Sequence, residues 1–316
     1  MSLSLTILGS SSATPTAHLF PSSQWLEIQN QHFLIDCGEG AQMQIRKNKL
    51  SFARLNAIFI SHAHGDHFFG LMGLLSSLDL MKRQKELLLF APQQILDLIT
   101  SYFYTHTPDP FSYPLTMTPI QPGATYVIYQ TPYIRVITFP LSHTIPCQGF
   151  AFEELFPYRN IRPEKIKQYS IPVCDLMNIK KGSDWTDENG RIIPNHELTL
   201  PPPEGLKYVY CTDTAFVETL RELAGTCDLL YHEATYKSSE RHMAPITGHS
   251  TTIEAARAAQ MLQARYLLIG HFSTRYKNSQ ELVAEARSLF PNTFFARQNT
   301  RFALDRKTRQ LTIDEL

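Results

Sequence analysis

Between a β-type run, Ala57 to Ile60, and a stretch of helically spaced apolar residues, Gly70 to Arg83, lies Ser61-His62-Ala63-His64-Gly65-Asp66-His67. It sets four potential metal ligands within six residues, directly after a strand and before a helix. In an extended segment, side chains two apart project the same way, so His62 and His64 face together. Asp66 and His67, at the turn into the helix, face a second position. One loop can thus serve two metals. Neutral imidazoles and a carboxylate suit Zn²⁺ where thiolates are absent, and Mn²⁺ or Fe accepts the same donors. The competing reading is a His-rich surface loop that binds nothing, in a chain with only 12 His.

Each further candidate ligand stands just past a β-type run: His143 after Val136 to Phe139, Asp213 after Tyr208 to Cys211, His271 after Leu267 to Ile269. Loops at one edge of a layered fold would gather them, and a carboxylate has two oxygens with which to bridge a metal pair. Cys37, Cys147, Cys174, Cys211 and Cys227 form no close pair, so we read them as reduced, mostly buried thiols outside the metal chemistry.

Short apolar runs, Leu3 to Leu8, Gln24 to Ile28 and His32 to Ile35, open the chain as a meander. Helices are expected over Gly70 to Arg83, Pro92 to Tyr104, Thr252 to Leu262 and Ser279 to Leu289. Strands are expected over Tyr126 to Tyr129, Tyr133 to Phe139, Lys207 to Cys211, Asp228 to Tyr231 and Arg265 to Ile269. From Glu153 to Gly205 the chain turns polar, Pro-punctuated and weakly periodic, which reads as an insertion. Strand meanders followed by helices, twice over, fit an α/β four-layer αββα sandwich better than a doubly wound parallel sheet.

Across 316 residues, 43% hydrophobic and 18% charged, the composition is that of a soluble globular protein. The amino terminus, Met1 to Ser10, carries no basic flank, and no run of about 18 apolar residues occurs, so a cytoplasmic protein without a membrane span is expected. Lys and Arg (29) balance Asp and Glu (29), which denies the molecule a broad positive field for a polyanion. Any RNA contact has to be local.

The HxHxDH loop, with its later His, Asp and His, resembles the metallo-β-lactamase superfamily over most of the chain. The resemblance implies a first zinc on His62, His64 and His143, a second on Asp66, His67 and His271, and Asp213 bridging both, two Zn²⁺ per chain. Three further segments, Ile35-Asp36-Cys37-Gly38-Glu39-Gly40-Ala41-Gln42, Tyr231-His232-Glu233-Ala234-Thr235 and Gly248-His249-Ser250, resemble the ribonuclease Z family, endonucleases that trim tRNA precursors on the 3′ side.

That resemblance implies that Asp66 also accepts the proton of the attacking water. It implies that His249, oriented by Glu233, steadies the phosphate or protonates the departing oxygen. Residue by residue, the alternatives are a Glu233 satisfied by backbone amides, a His249 that caps a helix or sits in the core near Thr251 and Thr252, and an Asp36 that either braces the metal loop or shapes a turn. The resemblance further implies one metallo-β-lactamase-like domain over 1–316. Within it, 153–205 would form an arm gripping the tRNA elbow, in a homodimer whose one subunit clasps while the other cuts.

Arg159, Arg162, Lys165, Lys167, Lys180 and Lys181 stand there against Glu164 and Asp175, an excess suited to phosphates or simply to a solvated loop. Two departures stand out. The arm reads Ile171-Pro172-Val173-Cys174-Asp175-Leu176 where members often carry a Gly-Pro-rich element. Pro15-Thr16-Ala17-His18-Leu19-Phe20 replaces a Pro-x-Lys-x-Arg-Asn element, and loss of its basic positions would either loosen discrimination of the 3′ end or shift RNA contacts to Arg275 and Lys277. The rival reading is a dinuclear phosphodiesterase or esterase acting on small molecules, which would share every metal ligand.

Overall fold

The computed structural model describes residues 3–12, 18–105 and 107–316; Pro15, Thr16 and Ala17 of the altered amino-terminal element lie outside them. Two large sheets face each other. The first has eight strands, in the order Leu311–Glu315, Thr300–Leu304, Leu3–Gly9, Ser23–Ile28, Gln31–Cys37, Leu55–Phe59, Leu87–Ala91 and Leu115–Pro119. The second has seven, in the order Thr293–Phe295, Tyr266–Gly270, Leu229–Glu233, Lys207–Cys211, Cys147–Glu154, Ile134–Leu141 and Tyr126–Gln130. In each sheet four successive strands run parallel and the remainder antiparallel.

Alternation along the strands builds the layers. Phe33, Ile35, Ala57, Phe59, Phe150, Phe152, Tyr208 and Tyr210 point into the interface between the sheets. Their neighbours Leu34, Ile58 and Ile60 face outward against the helices Leu71–Leu80 and Gln93–Phe103. Val209, Leu230 and Ile269 face the helix Thr252–Met261, whose Ala255, Ala256, Ala258 and Ala259 let it lie close to the sheet. Strands covered on both faces need unbroken apolar runs, which is why Ala57 to Ile60 and Leu267 to Ile269 lack polar residues. This is the αββα sandwich.

The helix expected over Gly70 to Arg83 stops at Leu80, because Lys82 adopts φ 56°, a left-handed conformation that cannot continue an α-helix. The guanidinium of Arg83 then donates to the carbonyls of Phe52, Leu55, Lys85 and Glu86, tying off the turn. Pro92 sits just outside its helix, as the cap of Gln93–Phe103.

The stretch after Glu153 also differs from expectation. Glu153 and Glu154 are still in a central strand, and the chain leaves the sheets only beyond them. It then forms the helices Pro163–Tyr169 and Leu176–Lys180 and two-residue strand pairs around a small core of Ile171, Ile179, Trp185, Ile193 and Leu198. Elements this short span too few residues to show a hydrophobic period, so the sequence reads as irregular.

Candidate metal centre

The parallel strands of both sheets end at one edge, and the loops leaving that edge carry the candidate ligands, as is usual for sites in open α/β sheets. His62 Nε2 and His143 Nε2 lie 3.2 and 3.1 Å from His64 Nδ1, and 3.7 and 3.8 Å from Asp213 Oδ2. On the other side of Asp213, Oδ1 is 3.4 Å from His67 Nε2 and 3.3 Å from His271 Nε2, and Asp66 Oδ2 is 3.3 and 3.5 Å from the same two nitrogens. All seven residues singled out in the sequence therefore converge as two four-membered sets sharing Asp213. Metal–nitrogen bonds of about 2.0–2.1 Å imply tetrahedral edges of roughly 3.3–3.4 Å, and the observed spacings bracket that length.

The hydrogen-bond network aims each ring at its set. His67 Nδ1 is 2.7 Å from Asp36 Oδ2, His143 Nδ1 is 2.7 Å from the carbonyl of Gly248, and His62 Nδ1 is 2.9 Å from the Ser61 hydroxyl, which itself donates to Asp36. His271 Nδ1 meets the Thr235 hydroxyl, which itself donates to Glu233. With Nδ1–H donating in all four rings, the Nε2 lone pairs are left facing the sites. His67 Nε2 is the telling atom: it is buried and has no hydrogen-bond partner. A buried nitrogen beside two carboxylates, with no satisfied bond, fits a cation ligand.

Charge balance supports the same fit. Asp36, Asp213 and Glu233 are buried, Asp66 is nearly so, and among the described residues only histidines pair with them. Buried carboxylates without Lys or Arg require another source of positive charge. In the protein alone a proton supplies part of it. Burial disfavours the charged ring of His67, but Asp213, Asp36 and Asp66 outweigh this and hold it well above the usual imidazole range. Burial, helped by the charge of His67, pushes His62 well below that range, and burial lowers His143 as well. Burial works against ionisation of Asp66 and Asp213, yet the surrounding imidazoles hold both well below the usual carboxylate range.

A consequence follows for metal uptake. Because His67 keeps its proton at neutral pH and a ligand must be deprotonated, loading should release about one proton, and affinity should climb as the pH rises toward the raised value. The same shift stabilises the metal-free fold fully below the unfolded-state value near 6.5, and that contribution fades as the pH passes through the raised one. Calorimetric titration of Zn²⁺ in buffers of different ionisation enthalpy measures the release; heats independent of the buffer would contradict it.

Asp36 braces the loop and does not merely shape a turn. Fully buried and at φ 55°, it accepts from Ser61 N, Ser61 Oγ, His67 Nδ1 and the hydroxyl of Tyr210. Gly38 follows it where a Cβ would lie 2.5 Å from the Asp66 carbonyl, so the metal loop can pack on this segment only over a glycine.

Glu233 unites both of its readings. Its Oε1 accepts from the backbone amides of Thr214 and Ser250 and is 2.9 Å from His249 Nδ1, while Oε2 accepts from the amide and hydroxyl of Thr235. Burial opposes ionisation of this carboxyl, but the His249 charge holds it below its ordinary value. Burial likewise opposes protonation of His249, and Glu233 overrides it, raising the ring to about 9. The His249 ring lies 5.0 Å from that of His143 and 5.4 Å from that of His271, lining a cleft of about 520 Å³ that also exposes His64, Asp66, Asp213 and Tyr236.

Thr235 had no assigned role in the sequence, although it stands in the His-Glu-Ala-Thr segment; Ser61, Tyr210 and the Gly248 carbonyl carried no signal. His232 of that segment is buried against its own backbone and takes no part.

The six arm cations are not at the cleft. They lie on the 155–205 segment, half-buried or exposed, and none is within ion-pair distance of a carboxylate among the described residues. Arg159 Nε donates to Thr199, and Lys165 donates to Gln168 and lies over the ring of Tyr169. Arg275 stacks over Tyr236 but is paired with Glu240, whereas Lys277 is exposed. A separate cleft of about 710 Å³ lies at the other end of the second sheet; there Glu153 is paired with Arg135 and Lys207, and Asp228 with Arg265 and Arg309.

Residues 3–104, about the first third of the chain and including the metal loop, match the family described as Anti-Pycsar protein Apyc1. Relatives over nearly the full length are ribonuclease Z of Bacteroides fragilis, 44% identical over 298 residues (93% of this chain, 97% of the relative), and of Porphyromonas gingivalis, 41% over 304 residues (95% and 99%). Among solved structures, human tRNase Z, short form, superposes with a TM-score of 0.64 at 26% identity, covering 86% of this chain and 93% of its own. The metallo-β-lactamase fold protein YhfI from Bacillus subtilis superposes at 0.65 with 16% identity, over 93% and 96%, a likeness of fold.

Proposed function

The chain belongs to the ribonuclease Z family, and we propose that its endonucleolytic removal of the 3′ trailer from tRNA precursors runs on two zinc ions held by the seven converging residues. The observation that carries this is Asp213, whose two oxygens each face a separate set of ring nitrogens. His62, His64 and His143 would hold one ion, Asp66, His67 and His271 the other, and Asp213 both. When bound, such a pair lowers the pKa of a water and neutralises charge on a phosphodiester in its transition state.

The chain's own residues do the rest. Asp66, held ionised by the neighbouring imidazoles against the opposing effect of burial, is the carboxylate placed to accept the proton of the attacking water. His249, charged near neutrality and gripped at Nδ1 by Glu233, presents its other nitrogen to the cleft, where it steadies a phosphate oxygen or protonates the departing one. Thr235 ties Glu233 to His271, so the acid and a metal ligand move as one unit.

In this reading the 155–205 segment is the arm that grips the tRNA elbow, supported by its uncompensated cations, and the enzyme works as a cytoplasmic homodimer. Leu80, Leu98 and Tyr102, exposed on the first-sheet helices, support an apolar contact between subunits. No helix among the described residues is long and apolar enough to cross a membrane.

The test incubates the protein with a 3′-extended tRNA precursor and, separately, with bis(p-nitrophenyl) phosphate. Single cleavage near the discriminator base is expected. Lys165→Ala/Lys167→Ala should lower kcat/KM for the precursor by about tenfold and flatten its salt dependence, while the small ester is hydrolysed as before. Brisk ester hydrolysis with an uncut precursor would instead make this a small-molecule phosphodiesterase.

A further inference from the structure

Beside the catalytic cleft lies a second cavity that the chemistry above does not use. It has a volume of about 440 Å³, within the roughly 300–1,000 Å³ range of small-ligand pockets. His64 lines both cavities, so whatever enters the second is one residue away from the metal cluster. Its walls are Pro92, Ile120, Pro122, Ile145 and Pro146, apolar and stiffened by three prolines whose φ is locked.

Ser61, Ala63 and His64 form its inner side, and three amides line it as well. Gln148 is committed to Gln121 and Gln93 to Asp97, which leaves Gln94, in the first turn of the helix Gln93–Phe103, with no hydrogen bond from its side chain. Among the described residues no Asp, Glu, Lys or Arg lines the cavity. A neutral, apolar slot with an amide at its rim suits the face and edge of a nucleobase and not a phosphate.

We infer that this cavity receives one nucleobase of the precursor, that of the nucleotide which keeps the phosphate after cleavage. The inference rests on the endonuclease reading above. Its polarity comes from the site: the His143 ring is 4.9 Å from His64, which lines the cavity, and 5.0 Å from His249, which lines the cleft but not the cavity. Where His249 is the proton donor to the departing oxygen, that oxygen belongs to the nucleotide on the His249 side. The partner that retains the phosphate extends past His64.

The test uses wild-type protein loaded with Zn²⁺ and three precursors: intact, abasic at the nucleotide that keeps the phosphate, and abasic at the one that loses it. The first lesion should reduce kcat/KM by about tenfold or more, the loss typical of one base contact, and the second by clearly less. Gln94→Trp, an exposed rim position, should bring the intact precursor down to the level of the first lesion, so that removing the base costs this variant nothing further. Equal cleavage of all three precursors by wild type overturns the inference and leaves the endonuclease reading standing. So does a larger loss from the second lesion. No cleavage of the intact precursor overturns both. The wild-type comparison decides the matter even if the Trp variant fails to fold, which its circular dichroism and zinc content would show.

Discussion

Asp66→Ala should abolish cleavage of both the tRNA precursor and bis(p-nitrophenyl) phosphate, lowering kcat/KM by at least about 10³-fold. The two losses come together because the residue serves the reacting centre and not the recognition of RNA. Its carboxylate faces His67 and His271 from 3.3 and 3.5 Å, so its removal also strips one of the four donors of the second set. Zinc content should fall accordingly, toward one ion per chain. The measurement is kcat/KM on both substrates together with metal analysis; cleavage within tenfold of wild type with full metal content would remove Asp66 from the mechanism. A residual activity confined to the small ester would mean that it positions the RNA instead.

His249→Ala should behave differently, losing turnover by roughly 10²–10⁴-fold while retaining its metals. His249 belongs to neither of the two four-membered sets, although with Glu233 it forms a third group around His271; its Nδ1 is held by Glu233 and its ring rests near those of His143 and His271. Because the charged form acts, activity depending on it persists at neutral pH and declines as the ring deprotonates. In the protein alone that occurs at about 9, and cations in the neighbouring sets would bring it lower. The wild-type pH profile should therefore show an alkaline limb at or below about pH 9 that the variant lacks. Zinc loss equal to that of Asp66→Ala would recast His249 as a ligand, and an unchanged kcat would leave it structural.

How much of this was legible beforehand varies with distance along the chain. The loop from His62 to His67 announces itself because its ligands are local and alternate as an extended segment requires. Its brace does not: Asp36 and His67 are 31 positions apart, and only the pairing of Gln31–Cys37 with Leu55–Phe59 brings them to 2.7 Å. For Glu233, a carboxylate satisfied by amides and one that orients His249 are alternatives in the sequence, yet in the folded chain Oε1 alone does both while Oε2 binds Thr235. The arm read as irregular because its helices and strand pairs are shorter than the windows in which periodicity appears. Its small core depends on Ile171, Ile179, Trp185, Ile193 and Leu198 meeting across 28 residues.

The sequence alone thus determined the chemical inventory: which donors are present, which strand each follows, and, through the succession of strand-like and helix-like runs, that two sheets would each be covered by helices on one face. Only the tertiary structure decided the rest. The tautomers of His67, His143 and His271 are set by acceptors far along the chain, Asp36, the Gly248 carbonyl and Thr235, and that of His62 by its neighbour Ser61, whose hydroxyl donates to the distant Asp36. The division of Asp213 between two sets, and the cavity that shares His64 with the cleft, likewise arise where separate loops meet. The reason is physical: donor type and local period are properties of neighbouring residues, whereas the direction of a lone pair and the shape of a void depend on groups that become neighbours only when the two sheets close on their common core.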